Sequence, residues 1–153
     1  MTQATIRTRI KTVLDTVSNK GKTHDYLRWA VKQSDFETLF STTISTVVQI
    51  RGWQIAYRGF RQEEPHIGRT ADQYRVHRFE IHGYLRLDDS TSSEKTFAAL
   101  AESVCNALDA DTTLNEESLS LYRNPTQLII DERLFAGVLC HHGVIDLEVA
   151  ETI

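Results

Sequence analysis

The stretch VHRFEIHGYLRLDD, Val76 to Asp89, constrains the fold more than any other part of the chain. Phe79, Ile81, Leu85 and Leu87 alternate with Arg78, Glu80, His82, Tyr84 and Arg86. A period of two places the first set on one face of a strand and the second on the other. Such a strand belongs to an antiparallel sheet with one dry and one wet face. It runs straight into STSSEKTFAALAESVCNALDAD, where Phe97, Leu100, Val104 and Leu108 recur at helical spacing. Thr91 and Glu94 have capping-box spacing, and Asp88 and Asp89 put negative charge at the helix start. The pattern predicts a helix laid back onto the sheet.

The remaining segments fit around that unit. Ile6, Ile10, Val13, Leu14 and Val17 form one stripe of an amphipathic helix over about 4–18, stopped near Gly21. THDYLRWAV reads as extended. SDFETLF reads as a short helix, with Ser34 and Glu37 at capping-box spacing, that buries Phe36, Leu39 and Phe40. Val47 to Arg58 is rich in β-branched and aromatic residues and predicts a strand. Arg61 to Tyr74 is polar, carries Pro65 and Gly68, and reads as a loop of unusual length, the kind that is functional or disordered. After a polar connection from Asn115 to Pro125, TQLIIDERLF and GVLCHHGVIDLEVAE predict two more strands. The sum is an α+β fold in a single domain, 1–153: a largely antiparallel sheet of four to five strands, with room for a parallel pair, and two main helices packed on one face.

Composition narrows the function classes. With 41% hydrophobic and 25% charged residues among 153, the chain is an ordinary globular sequence able to bury one core. It has no apolar run of the ~20 residues needed to cross a bilayer, so no membrane role is expected, and its N-terminus lacks a signal-peptide core. The expectation is a soluble, cytosolic protein in which Cys105 and Cys140 stay as thiols. A formal net charge of −4 gives no overall attraction to nucleic acid. Arginine is concentrated between Arg51 and Arg86, while the C-terminal part is acidic, an asymmetry that suits charge-complementary self-association.

Cys140-His141-His142, with Asp146 beyond, is the most chemical phrase in the chain. In a strand it splits by parity. Leu139, His141, Ile145, Leu147 and Val149 share one face, and Cys140, His142, Asp146 and Glu148 the other. His142 and Asp146 are ~13 Å apart at the usual rise, too far to ligate one ion. A metal site would need His77 or His82 from another strand, and no HxH, HExxH or CxxC pattern is present. The favoured reading is a structural strand with one buried and one exposed histidine. Signatures of nucleophile elbows, P-loops and dinucleotide folds are also absent from the sequence. Trp29, Trp53, Tyr57 and Phe79 fit core packing better than a base-stacking platform.

IRGWQIAYRGF, HRFEIHGYLRLDDSTSSEKTFAALAESVCNAL and LFAGVLCHHGVIDLEVAE, in this order and spacing, resemble the tail terminator, or tail completion, proteins of tailed bacteriophages. The resemblance covers most of the chain and is a pattern of strands and helices rather than a catalytic motif. It implies a structural virion protein of the tail and neck, assembled in the host cytoplasm. Such a protein forms a homohexameric ring that caps the tail tube, ends its polymerisation and offers the surface for head joining. It implies no catalysis and no cofactor. The partners would be further copies, the tail tube protein, a head-to-tail connector or stopper protein and, in a contractile tail, the sheath protein. DNA would pass through the lumen without specific binding. Six copies at −4 would carry −24, which suits such a channel if the acidic groups face it.

The expected interface residues are Arg61, Glu63, Glu64, Arg69 and Arg75, in or beside the 61–74 loop, with Arg78, Glu80 and Arg86 on the wet strand face. The loop is expected to be mobile in the free protein and ordered in the assembly. Three alternatives stand beside the terminator: another neck protein (adaptor or stopper), a small metal-dependent hydrolase using His142 with His77 or His82, and a nucleic-acid module using the arginines from Arg51 to Arg86.

Overall fold

The computed structural model describes residues 1–63, 73–114, 119–121 and 127–153. The elements follow in the order α1 (Gln3–Asp15), β1 (Lys22–His24), α2 (Gln33–Phe40), β2 (Ser41–Ile44), β3 (Val47–Glu63), β4 (Tyr74–Arg86), α3 (Ser93–Ala110), β5 (Leu119–Leu121), β6 (Gln127–Phe135) and β7 (Val138–Thr152). The fold is α+β, as expected, but the sheet is larger than four to five strands and is mixed. Its path is β1-β3-β4-β7-β5, with β2 on β3 and β6 on β7. Only β1 with β3 runs parallel among the described pairs.

Three long strands form the centre. β4 pairs with β3 on one side and, from Tyr74 to Arg86, with β7 on the other. Odd-numbered residues of β4 and β7, and of β3 as far as Tyr57, point to the face covered by α1 and α3. There Trp53, Ile55, Phe79, Ile81, Ile145, Leu147 and Val149 meet Ile6, Ile10 and Leu14 of α1 and Phe97, Ala101, Val104 and Leu108 of α3. The helical stripes read from the sequence are therefore the buried ones. The capping boxes are not used. Asp88 instead caps a short 3₁₀ turn, accepting from the backbone N–H of Ser90 at 3.1 Å, and α3 starts behind Ser92, whose left-handed φ is 54°. α2 begins at Lys32 without a side-chain cap.

The two main helices share one face, as expected, but the short helix α2 lies on the other. Phe36 and Phe40 pack on Ile50, Tyr84, Val138 and Cys140, which lie on the opposite side of the sheet. Tyr84 therefore stands in a second core rather than on a wet face. Its hydroxyl accepts from Gln54 Nε2 at 2.8 Å, and burial pushes its pKa up to about 12. His141 and His142 are both buried, so the pairing of one buried with one exposed histidine does not hold, and Leu139, expected inside, is 44% exposed. Parity was right, but around His142 the strand is covered on both faces, and the wet side begins only at Asp146 and Glu148.

The predicted loop from Arg61 to Tyr74 is shorter than expected. Arg61, Gln62 and Glu63 extend β3 and pair with Val76, Arg75 and Tyr74. A bulge between Tyr57 and Phe60, with Gly59 at φ 105°, lets the strand continue past Arg58. Residues 64–72 lie outside the described residues, and so does the call on that loop's mobility. Of the polar connection predicted over 115–125, Leu119–Leu121 form β5 and the rest lies outside them too.

Candidate interaction surface

α2 covers only one end of its side of the sheet, where β3, β4, β7 and β6 carry Ile50, Tyr84, Val138 and Phe135. Beyond Tyr84 and His142 the same face is lined by charged residues that pair diagonally across the strands, since register sets Glu80 opposite Asp146 and Arg78 opposite Glu148. Arg58 Nε donates to Glu80 Oε2 at 2.7 Å, and Arg78 Nη2 to Asp146 Oδ1 at 3.1 Å. Arg61 clamps Glu148 with two hydrogen bonds of 2.6 and 3.0 Å and reaches Glu63 at 2.8 Å. On the outer strand Arg133 Nε donates to Asp131 Oδ2 at 2.7 Å.

The electrostatics follow from this pairing. Hydrogen bonding to Glu148 raises the pKa of Arg61, and the Arg61 guanidinium in return lowers that of Glu148. Asp146 raises Arg78 in the same way. Partial burial pushes Glu80 and Asp131 up, but Arg58 and Arg133 outweigh it and leave both carboxyls below their ordinary values. Such surface pairs are worth only ~0–1 kcal/mol each. Their consequence is geometric: long side chains are held down on the sheet face.

The edge of the sheet differs from the face. β6 pairs only with β7, so its other edge has no strand partner among the described residues. Ile129 is 56% exposed and Leu134 68%, with Ile130 and Leu139 also in solvent. Leu134 and Leu139 are direct cross-strand partners and make one apolar spot. Open edges with apolar side chains are what proteins usually blunt or cover.

The expected interface residues divide. Arg61, Arg78 and Glu80 stand on the ion-pair face, and Glu63 joins through Arg61. Arg75 does not: its register partner is Gln62, and its guanidinium lies over the Phe60 ring at 4.7 Å. Arg86 is exposed at the far end of β4, beside a cavity of about 530 Å³ also lined by Arg51 and Ser93. Glu64 and Arg69 lie outside the described residues. The eight therefore do not make one surface.

Arg58, Asp131, Arg133, Asp146 and Glu148 complete the face and are missing from the expected set. Parity already placed Asp146 and Glu148 on the polar side of β7, and that was the usable signal. Asp131 and Arg133 depend on which strand lies beside β7, which the sequence does not print. The arginine-rich segment is also not a basic field. Arg51 is buried and donates to the carbonyl of Asn19 and to Gln49, while Arg58, Arg61 and Arg78 are matched by carboxylates.

The Cys-His-His phrase resolves into three environments. Cys140 is fully buried, and desolvation pushes its thiol up to about 12; Cys105 is pushed up to about 11. Both are free. A thiol-selective disulfide reagent at pH 8 is expected to leave Cys140 unmodified in the native protein and to modify it fully in denaturant; rapid native labelling would contradict this burial. His141 meets Ser93 Oγ at 2.8 Å, a hydrogen bond that seals the start of α3 onto the sheet. His142 does meet His82, at 3.0 Å, while His77 is turned to Tyr57 and Glu151. No group of three or more histidine, cysteine or acidic side chains able to hold a metal ion occurs among the described residues.

Burial lowers the pKa of both His82 and His142. The sign of the pH effect follows. Between the lowered native value and the ordinary ~6.5, the unfolded chain binds protons that the native state does not, so stability decreases as the pH falls through that window. Urea midpoints are expected to drop between pH 7.5 and 5, above the range where carboxylates titrate; a flat midpoint would contradict the buried placement.

No helix among the described residues is long and apolar enough to cross a membrane. No protein-family model matches the chain, and no curated protein matches it.

Proposed function

We propose that this chain is a structural subunit of a tailed-phage virion, a tail terminator that assembles into a ring at the neck, ends growth of the tail tube and presents the surface to which the head is joined. The observation that carries the reading is the β6 edge, without a strand partner among the described residues and with Ile129, Ile130 and Leu134 in solvent, next to a face of ion pairs. In this reading the edge joins a different surface of the next copy. A contact between unlike surfaces closes into a ring when the rotation between copies allows it, and then no edge stays open. The charged face beside it supplies register and orientation, the role that complementary charges play at interfaces. The phrase-level resemblance from Ile50 to Glu151 supports the neck assignment within this class.

The edge gives the test. The double variant Ile129→Lys with Leu134→Lys replaces exposed side chains, so the free energy of unfolding is expected to stay within ~0.5 kcal/mol of the unchanged protein. Negative-stain images should show rings for the unchanged protein and dispersed monomers for the variant. Rings that survive both lysines would remove the β6 edge from the interface.

A further inference from the structure

We propose that Glu80, His82, His142 and Asp131 form one proton-binding chain across β4, β7 and β6, in which a single extra proton is shared between the two imidazoles. Three contacts make the chain: Glu80 Oε2 to His82 Nε2 at 3.2 Å, His82 Nδ1 to His142 Nε2 at 3.0 Å, and His142 Nδ1 to Asp131 Oδ1 at 3.0 Å. The ring centroids of the two histidines are 5.3 Å apart with planes within 20°. At that separation the rings meet nitrogen to nitrogen rather than face to face, so the lone pairs lie on the line between them.

Counting protons makes the argument. Each of the three contacts needs one N–H, and two neutral imidazoles carry two. Both carboxylates are held ionised by an arginine, Glu80 by Arg58 and Asp131 by Arg133, each at 2.7 Å. Ionised carboxylates only accept, so His82 must donate from Nε2 and His142 from Nδ1. That assignment turns two bare lone pairs toward each other at 3.0 Å, which repels. A proton placed there converts the repulsion into a charge-assisted hydrogen bond. With the proton bound, two carboxylates face one positive charge; without it the rings must separate, and a cavity of about 330 Å³ lined by both histidines is there to receive them.

The other charged or titratable groups around the pair are Arg58 on β3, Tyr84 on β4, Arg133 on β6 and Arg28 in the segment before α2, all lining that cavity. The arginines oppose a further positive charge, and burial does the same. Uptake therefore belongs below the ordinary histidine range, which makes the chain a device that closes on mild acidification and opens at neutral pH.

Imidazole NMR on the full chain in chelator-treated buffer, titrated from pH 8 to 4.5, tests this. The expected result is a common midpoint for His82 and His142, since a shared proton belongs to the pair. The starting tautomers should be Nε2–H for His82 and Nδ1–H for His142. Asp131→Asn should move that midpoint down by about one pH unit. Should that variant not fold, the tautomers and the shared midpoint of the unchanged protein decide alone. Separate midpoints, the opposite tautomer on His142, or a titration that appears only when zinc is added back would each overturn the shared proton.

Discussion

Trp53→Ala is expected to lower the free energy of unfolding by ~3–5 kcal/mol, the range for removing a large buried aromatic. Trp53 is completely buried in the core between the central strands and α3, and its ring lies 13° from parallel with that of Phe97 at 6.1 Å. The indole Nε1 donates to the carbonyl of Lys20 at 3.1 Å and thereby fastens the turn after α1 to the sheet. Alanine removes the packing and leaves that carbonyl without its donor, so the two losses add. Chemical denaturation should show the midpoint fall with the denaturant slope unchanged. A loss under ~1 kcal/mol would contradict the placement of Trp53 at the centre of the core.

Gly83→Ala is expected to be the second most damaging change, at the upper end of the ~1–3 kcal/mol typical of overpacking. Gly83 is the direct cross-strand partner of Trp53, and its missing side chain is where the indole lies. A Cβ on Gly83 would stand 2.4 Å from one atom of the Trp53 ring and 2.5 Å from another. Neither residue can step aside, because β4 is held on both edges by β3 and β7. The two substitutions should therefore be strongly coupled. In the Trp53→Ala background the alanine at 83 enters vacated space and should cost almost nothing, a departure from additivity that a double-mutant cycle measures directly. Equal cost in both backgrounds would mean that the glycine is required for its backbone rather than for the indole.

These two residues also show what could be read from the sequence. Period-two alternation identified the faces of β4 correctly, and the stripes Ile6-Ile10-Leu14 and Phe97-Leu100-Val104-Leu108 identified the buried sides of α1 and α3. Gly83 sits in the middle of the apolar parity between Ile81 and Leu85, which is the visible trace of a large side chain arriving from a neighbouring strand. That the side chain is Trp53 depends on register, and register is a property of pairing between distant segments.

The same limit explains the partial reading of the surface. Asp146 and Glu148 were legible as polar positions of β7, but their partners Arg78 and Arg61 come from other strands. His82 and His142 were named as possible companions, and only the pairing of β4 with β7 brings them to 3.0 Å. The wet face of β4 was half right. α2 and the segment before it turn the end near Tyr84 into a second core, and no periodicity within β4 reports what an eight-residue helix elsewhere will cover. Glycine and polar composition suggested a long loop after Phe60, whereas a bulge at Gly59 carries the strand to Glu63.

The central claim is that the chain is a ring-forming building block, and native mass spectrometry of the purified protein tests it most directly. The account predicts a dominant species at six times the 17.5 kDa of the chain, surviving dilution into the micromolar range and giving way to monomer when Ile129 and Leu134 are both replaced by lysine. A protein that stays monomeric at every concentration, with β6 still open, would contradict it.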